Sequence, residues 1–138
     1  MLKKMKSTRL DEWVRPDVAI LLLRVGVSGL MITHGLPKVM KILEGDFSFP
    51  DPIGLGPAVS LFLVAFAEFV CSILVLVGIG TRFALIPLII TMFVAAFIVH
   101  AGDPFSDKEL SLFFLLTYTV LFLTGPGRYS MDKFYRKR

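Results

Sequence analysis

Four stretches of the chain are almost wholly apolar, residues 18–36, 58–78, 83–99 and 110–123, and the polar and charged residues gather mostly between them. None of the runs alternates polar with apolar positions, which excludes the strands of a membrane β-barrel. Crossing the hydrocarbon core takes about 20 helical residues, within a usual range of roughly 17–25. The first three runs meet that length, the third at its short end. The fourth meets it only when extended to Glu109 and Thr124 at the two interfaces, with a thinned bilayer or neighbouring helices covering its ends. The pattern predicts an all-α membrane protein, a bundle of four transmembrane helices over about 18–36, 58–78, 83–99 and 109–124. An interfacial segment over 1–17 precedes the bundle, an outer loop over 37–57 joins the first two spans, and a basic tail over 125–138 follows.

Composition agrees with the pattern. Hydrophobic residues make up 55% of the 138 positions, and the mean hydropathy is +0.75, beyond the range of soluble domains. Cys71 is the single cysteine and lies within an apolar run, so an internal disulfide and a CxxC redox pair are both excluded. A formal charge of +4 does not point to nucleic acid, because the basic residues flank apolar segments at the two termini, where anionic lipid headgroups are the matching partner. Lys3, Lys4 and Lys6 ahead of an apolar run could be misread as a signal peptide. Asp11, Glu12 and Asp17 interrupt the approach, Arg24 breaks the run and no A-x-A site follows, so the segment is read as a retained span.

Basic residues also set the expected orientation. With four spans, the N-terminus, the turn over 78–82 and the tail share one side and carry eleven Lys and Arg residues; the other side carries three, Lys38, Lys41 and Lys108. The positive-inside rule then places both termini in the cytoplasm. Leu10, Trp13 and Val14 beside Arg9 and Arg15, and Tyr129, Phe134 and Tyr135 among the basic residues of the tail, read as interfacial anchors.

Arg24 and Glu68 are the exceptions inside the apolar runs. An ionised group at bilayer depth is costly and normally has a partner, so the two are expected to pair, either as a structural ion pair that sets helix register or as a ligand or proton site. Counting 1.5 Å per residue from the cytoplasmic end of each run, Val18 for the first and Gly78 for the second, puts Arg24 about 9 Å and Glu68 about 15 Å from the cytoplasmic boundary. His34 and His100 come out near one outer level, about 24 and 26 Å up, close to Lys38 and Glu109. An outer pocket bounded by His34, Lys38, His100 and Glu109 is therefore expected beneath the 37–57 loop, whose Phe47, Phe49, Ile53 and Leu55 suit a lid. No complete metal-ligand motif is present. Gly26, Gly29, Gly35 and Ser28 suit close helix packing.

Across nearly the whole chain after the first dozen or so residues, an ordered set of residues resembles the DoxX family. It comprises Arg24, His34-Gly35-Leu36-Pro37-Lys38, Glu68, Gly78-x-x-Thr81-Arg82, His100, Glu109 and Gly125-Pro126-Gly127-Arg128-Tyr129-Ser130-x-Asp132. The resemblance implies a small four-helix protein of the bacterial or archaeal inner membrane. Its relatives include membrane subunits associated with thiosulfate:quinone oxidoreduction and with oxidative-stress complexes. It supplies motif positions and no catalytic assignment.

Two functional expectations follow. One is a redox-linked membrane subunit, acting with partner proteins and binding a quinone headgroup or small anion, with histidine or Glu68 exchanging protons near neutral pH. The chain shows no haem, flavin or iron–sulfur ligand set, so electrons would come from a partner or from the substrate. The other is a non-enzymatic anchor or assembly partner, or a small proton-coupled transporter, although the spans show no convincing internal repeat.

Overall fold

The computed structural model describes residues 16–136, and among them every regular element is helical. The interfacial residues expected ahead of Pro16, and Lys137 and Arg138, lie outside the described residues. Helix α1 spans Pro16–Leu43, α2 Pro57–Val77, α3 Thr81–Val99, α4 Phe105–Thr124 and the short α5 Met131–Arg136. By length and composition α1, α2 and α3 can cross a membrane. In α4 Asp107 in the first turn, with Lys108 and Glu109 directly after it, shortens the apolar stretch.

Helix boundaries follow from local chemistry. Helix α1 continues through Pro37 to Leu43, so the outer connection is shorter than the 37–57 loop expected from the sequence. Proline is tolerated within membrane helices because neighbouring groups satisfy the freed backbone positions. Pro57 opens α2 at a position where its missing N–H costs nothing. Ahead of it, the Asp51 carboxylate accepts hydrogen bonds from the N–H groups of Leu55 and Gly56 and from the Ser60 hydroxyl, pinning the outer loop to the top of α2. Gly78 ends α2 at φ 79°, where the N–H groups of Gly78 and Ile79 both reach the Leu74 carbonyl.

Two helices change pitch midway. Phe66–Cys71 of α2 and Ala95–Val99 of α3 are π-helical, a wider winding that occurs in short pieces and often at functional sites. The interior combines small and mid-sized side chains with two aromatic rings, among them Val27 and Met31 of α1, Ala67 and Val75 of α2, Leu85 and Leu88 of α3, and Phe114, Tyr118 and Leu121 of α4. Large apolar residues point outward instead; Leu22, Phe83, Phe113, Leu116 and Leu123 are all exposed. That distribution suits lipid as the surrounding solvent, with small residues letting backbones approach. At Gly35 an added Cβ would come within 2.7–2.8 Å of the Glu68 and Phe69 backbone, so α1 and the π-helical part of α2 cross there in direct backbone contact.

Candidate ligand pocket and the tail clasp

That crossing sets the register of α1 against α2. Gly35 lies beside Glu68, and eleven residues down α1 Arg24 lies beside Gly78, where a Cβ would meet the Arg24 guanidinium at 3.1 Å. Eleven residues of helix amount to about 16 Å, so Arg24 is far below Glu68. The two residues expected to pair do not. Counting depth from Val18 and back from Gly78 placed them within side-chain reach because it assumed that the two helices begin at a common plane. Side-chain direction widens the gap, since Cα–Cβ bonds in a helix tilt toward its N-terminus and carry the Arg24 head away from Glu68. The same tilt carries Lys38, three residues above Gly35, down onto the carboxylate.

Lys38 Nζ forms a salt bridge with Glu68 Oε2, the two side chains retaining 23% and 7% of their exposure. The Lys38 ammonium also reaches the His34 carbonyl at 3.4 Å. This pair lines a cavity of about 310 Å³ between α1, α2 and α3. Otherwise the lining is mostly apolar, with Leu63 and Val64 of α2, Ile90, Val94, Ala95 and Val99 of α3, and Phe49, Pro50, Pro52 and Ile53 of the outer loop. Ser60 and Thr91 add hydroxyls, the first bonded to Asp51 and the second donating to the Pro87 carbonyl at 2.7 Å. Both π-helical segments contribute, through Glu68 on one side and Ala95 and Val99 on the other.

Of the expected outer pocket, Lys38 and His100 line this cavity, Glu68 joins them, and Phe49 and Ile53 of the connecting loop border it. His100 caps α3, its Nδ1 2.9 Å from Asp103 Oδ2. His34 is exposed and meets Phe114 of α4 edge to face, with ring centroids 5.9 Å apart, while Glu109 is exposed on α4; neither lines the cavity. Behind the pair, the fully buried Tyr118 hydroxyl lies within electrostatic range of Glu68 and beside Ser72. The hydroxyls of Tyr118, Ser72 and Ser28 are buried without a well-formed hydrogen bond among the described residues. Tyr118 was not anticipated as a functional residue; its signal was a lone ring hydroxyl in the middle of an apolar run.

Arg24 serves the other end of the molecule. Its two terminal nitrogens donate to the Pro126 carbonyl at 2.6 Å and the Tyr129 carbonyl at 2.7 Å. Asp132, in the first turn of α5, accepts from the N–H groups of Gly80 and Thr81 at 2.8 and 3.1 Å and from the Thr81 hydroxyl at 2.9 Å, capping α3. The Asp132 N–H returns a bond to the Gly78 carbonyl. Burial by itself would raise the Asp132 pKa, but the hydrogen bonds from Thr81 and Gly80, with the nearby Arg136 charge, outweigh it and hold the carboxyl below its ordinary value. Three separated motifs, Arg24, Gly78-x-x-Thr81-Arg82 and the Gly125–Asp132 loop, thus form one clasp.

The motifs and the fold now meet the comparisons with known proteins. A family model described as DoxX matches residues 19–101. The chain belongs to the DoxX family. The matched DoxX region holds Lys38, Glu68 and His100 of the cavity and stops short of α4 and the tail loop. Relatives extend further. An uncharacterized membrane protein of Mycobacterium tuberculosis is 32% identical over 146 residues, covering 89% of this chain and 83% of its own length. The inner membrane protein YqjF of Escherichia coli is 30% identical over 128 residues, covering 88% of this chain and 95% of its own. A Haemophilus influenzae protein is 29% identical, covering 87% and 85%. No solved structure matches the chain.

Proposed function

We propose that this DoxX-family protein is a membrane subunit whose Lys38–Glu68 cavity binds the head of a quinone-like or small anionic ligand, in redox chemistry shared with partner proteins. The observation that carries this reading is a salt bridge at the edge of an apolar cavity, between two π-helical segments and under a proline-rich loop. Pockets for small molecules combine this kind of apolar wall with few, placed polar groups. An incoming carbonyl or anionic oxygen competes with Glu68 for the Lys38 ammonium, and the flat apolar body fits against Phe49, Ile53 and Val94. Glu68 and His100 are the other ionisable groups that line the cavity beside it. The setting is a bacterial inner membrane, the location named for the Escherichia coli relative.

In this reading α4 is a fourth crossing, turning Phe113, Leu116 and Leu123 to lipid, and both termini face the cytoplasm under the positive-inside rule. The cavity then opens outward. Thermal-shift titration of the purified protein with quinone analogues and with thiosulfate-like anions tests the binding, since a ligand that prefers the folded state raises its stability by mass action. A shift in the wild type that is lost in Lys38→Met supports the proposal. No shift with any of these ligands, or shifts untouched by Lys38→Met and Glu68→Gln, leaves the salt bridge as a device that fixes α1 against α2.

A further inference from the structure

A second cavity, of about 870 Å³, lies at the opposite end of the molecule, between α1, the α2–α3 turn, the end of α4 and α5. Its wall carries four cations, Arg82, Arg128, Lys133 and Arg136, against two carboxylates, Asp17 and Asp132. Both carboxylates are already engaged. Asp132 caps α3, and Asp17 accepts the Arg128 N–H at 3.2 Å. Arg82 uses its Nε on the Phe122 carbonyl at 3.1 Å, leaving its terminal nitrogens against Gly125. The side chains of Arg128 and Lys133 make no hydrogen bond or ion pair among the described residues. The cavity therefore has a surplus of positive charge with donors to spare.

What adjoins those cations narrows the ligand. Ile20 and Phe83 share the lining; Phe83 is 83% exposed, and Leu123, next to the lining residue Thr124, is 74% exposed. A soluble anion needs only the cations. A phospholipid needs cations at the end of a membrane helix with bare apolar surface running away from them, which is the arrangement here. We propose that this cavity binds the phosphate headgroup of an anionic glycerophospholipid, its acyl chains lying along Phe83 and Leu123. The planar guanidinium groups of Arg82 and Arg128 offer paired donors to phosphate oxygens, and Lys133 and Arg136, three residues apart on α5, supply charge from one face. Basic pockets between membrane helices take such headgroups elsewhere. This site is independent of the Lys38–Glu68 cavity.

Native mass spectrometry of the detergent-purified full chain, titrated with phosphatidylglycerol, phosphatidylcholine and inorganic phosphate, tests the assignment. Phosphatidylglycerol should bind at least about tenfold more tightly than phosphatidylcholine, and inorganic phosphate should not displace it at equal concentration. Each of Arg128→Gln, Lys133→Gln and Arg136→Gln should weaken that binding by roughly fivefold, with Lys108→Gln at the other end as a neutral control. Lys133→Gln, whose side chain makes no hydrogen bond or ion pair among the described residues, keeps the test valid if either arginine variant does not fold. Equal affinity for the two lipids, displacement by phosphate alone, or a preference unchanged in these variants overturns the proposal.

Discussion

Lys38 and Glu68 are unequal partners: the carboxylate is almost sealed, while the lysine keeps part of its length exposed. Removing the lysine strands a charge in a low-dielectric site, and removing the carboxylate strands an ammonium that has the His34 carbonyl as its other contact. Each of Lys38→Met and Glu68→Leu should cost about 3 kcal/mol of stability, and Lys38→Met/Glu68→Leu should recover part of the loss, because a buried pair replaced by apolar residues is often neutral. Thermal unfolding of the four proteins in one detergent checks this, and strictly additive losses would rule out direct coupling. Which ionisable residues would matter was legible in the sequence, since charge in an apolar run always needs an explanation. Which residue meets which was not. The partner of Glu68 depends on the offset between two antiparallel helices, and no residue count along one helix contains that offset.

At the scale of elements, that offset is fixed where Gly35 meets the π-helical backbone of α2. Gly35→Ala adds a methyl group where only backbone can receive it, and should destabilise the protein by about 1–3 kcal/mol despite alanine's better helix propensity. Gly26→Ala, with nothing within 4 Å of its added Cβ, should be neutral or up to about 1 kcal/mol stabilising. Similar unfolding temperatures for the two variants would contradict the close crossing. The sequence flagged both glycines as packing residues and could not rank them. The π-helical segments had no signal, since an extra residue in a turn leaves the apolar run unchanged. At the far end Asp132 joins α5 to the start of α3. Its carboxyl is held below the ordinary 3.8, so its stabilisation is complete above that value and is lost as pH falls through the lower folded value. Asp132→Asn should lower the unfolding temperature at pH 7 and lose less on acidification toward pH 3 than the wild type. Parallel pH profiles for the two would place the acid sensitivity elsewhere.

For the molecule as a whole, helical class, membrane character and family were readable from run lengths and the ordered motif set, because both depend on local composition. The fourth crossing rests on an apolar run just short of span length and the orientation on charge asymmetry, and reporter fusions at Arg138 and within the outer loop at Ser48 should report opposite compartments. The same compartment for both would refute the four-crossing arrangement. The tail was read as an interfacial anchor; in the fold its loop also supplies the acceptors for Arg24, more than a hundred positions earlier in the chain. That separation has a consequence for synthesis. Translation proceeds from the N-terminus, so α1 is made with an arginine whose two carbonyl partners do not yet exist, and only completion of residues 126–129 supplies acceptors for its two terminal nitrogens. A chain stopped before Pro126 would keep every apolar run and still leave a buried guanidinium without these acceptors, so completeness of the fold is decided by its last dozen or so residues and not by its spans.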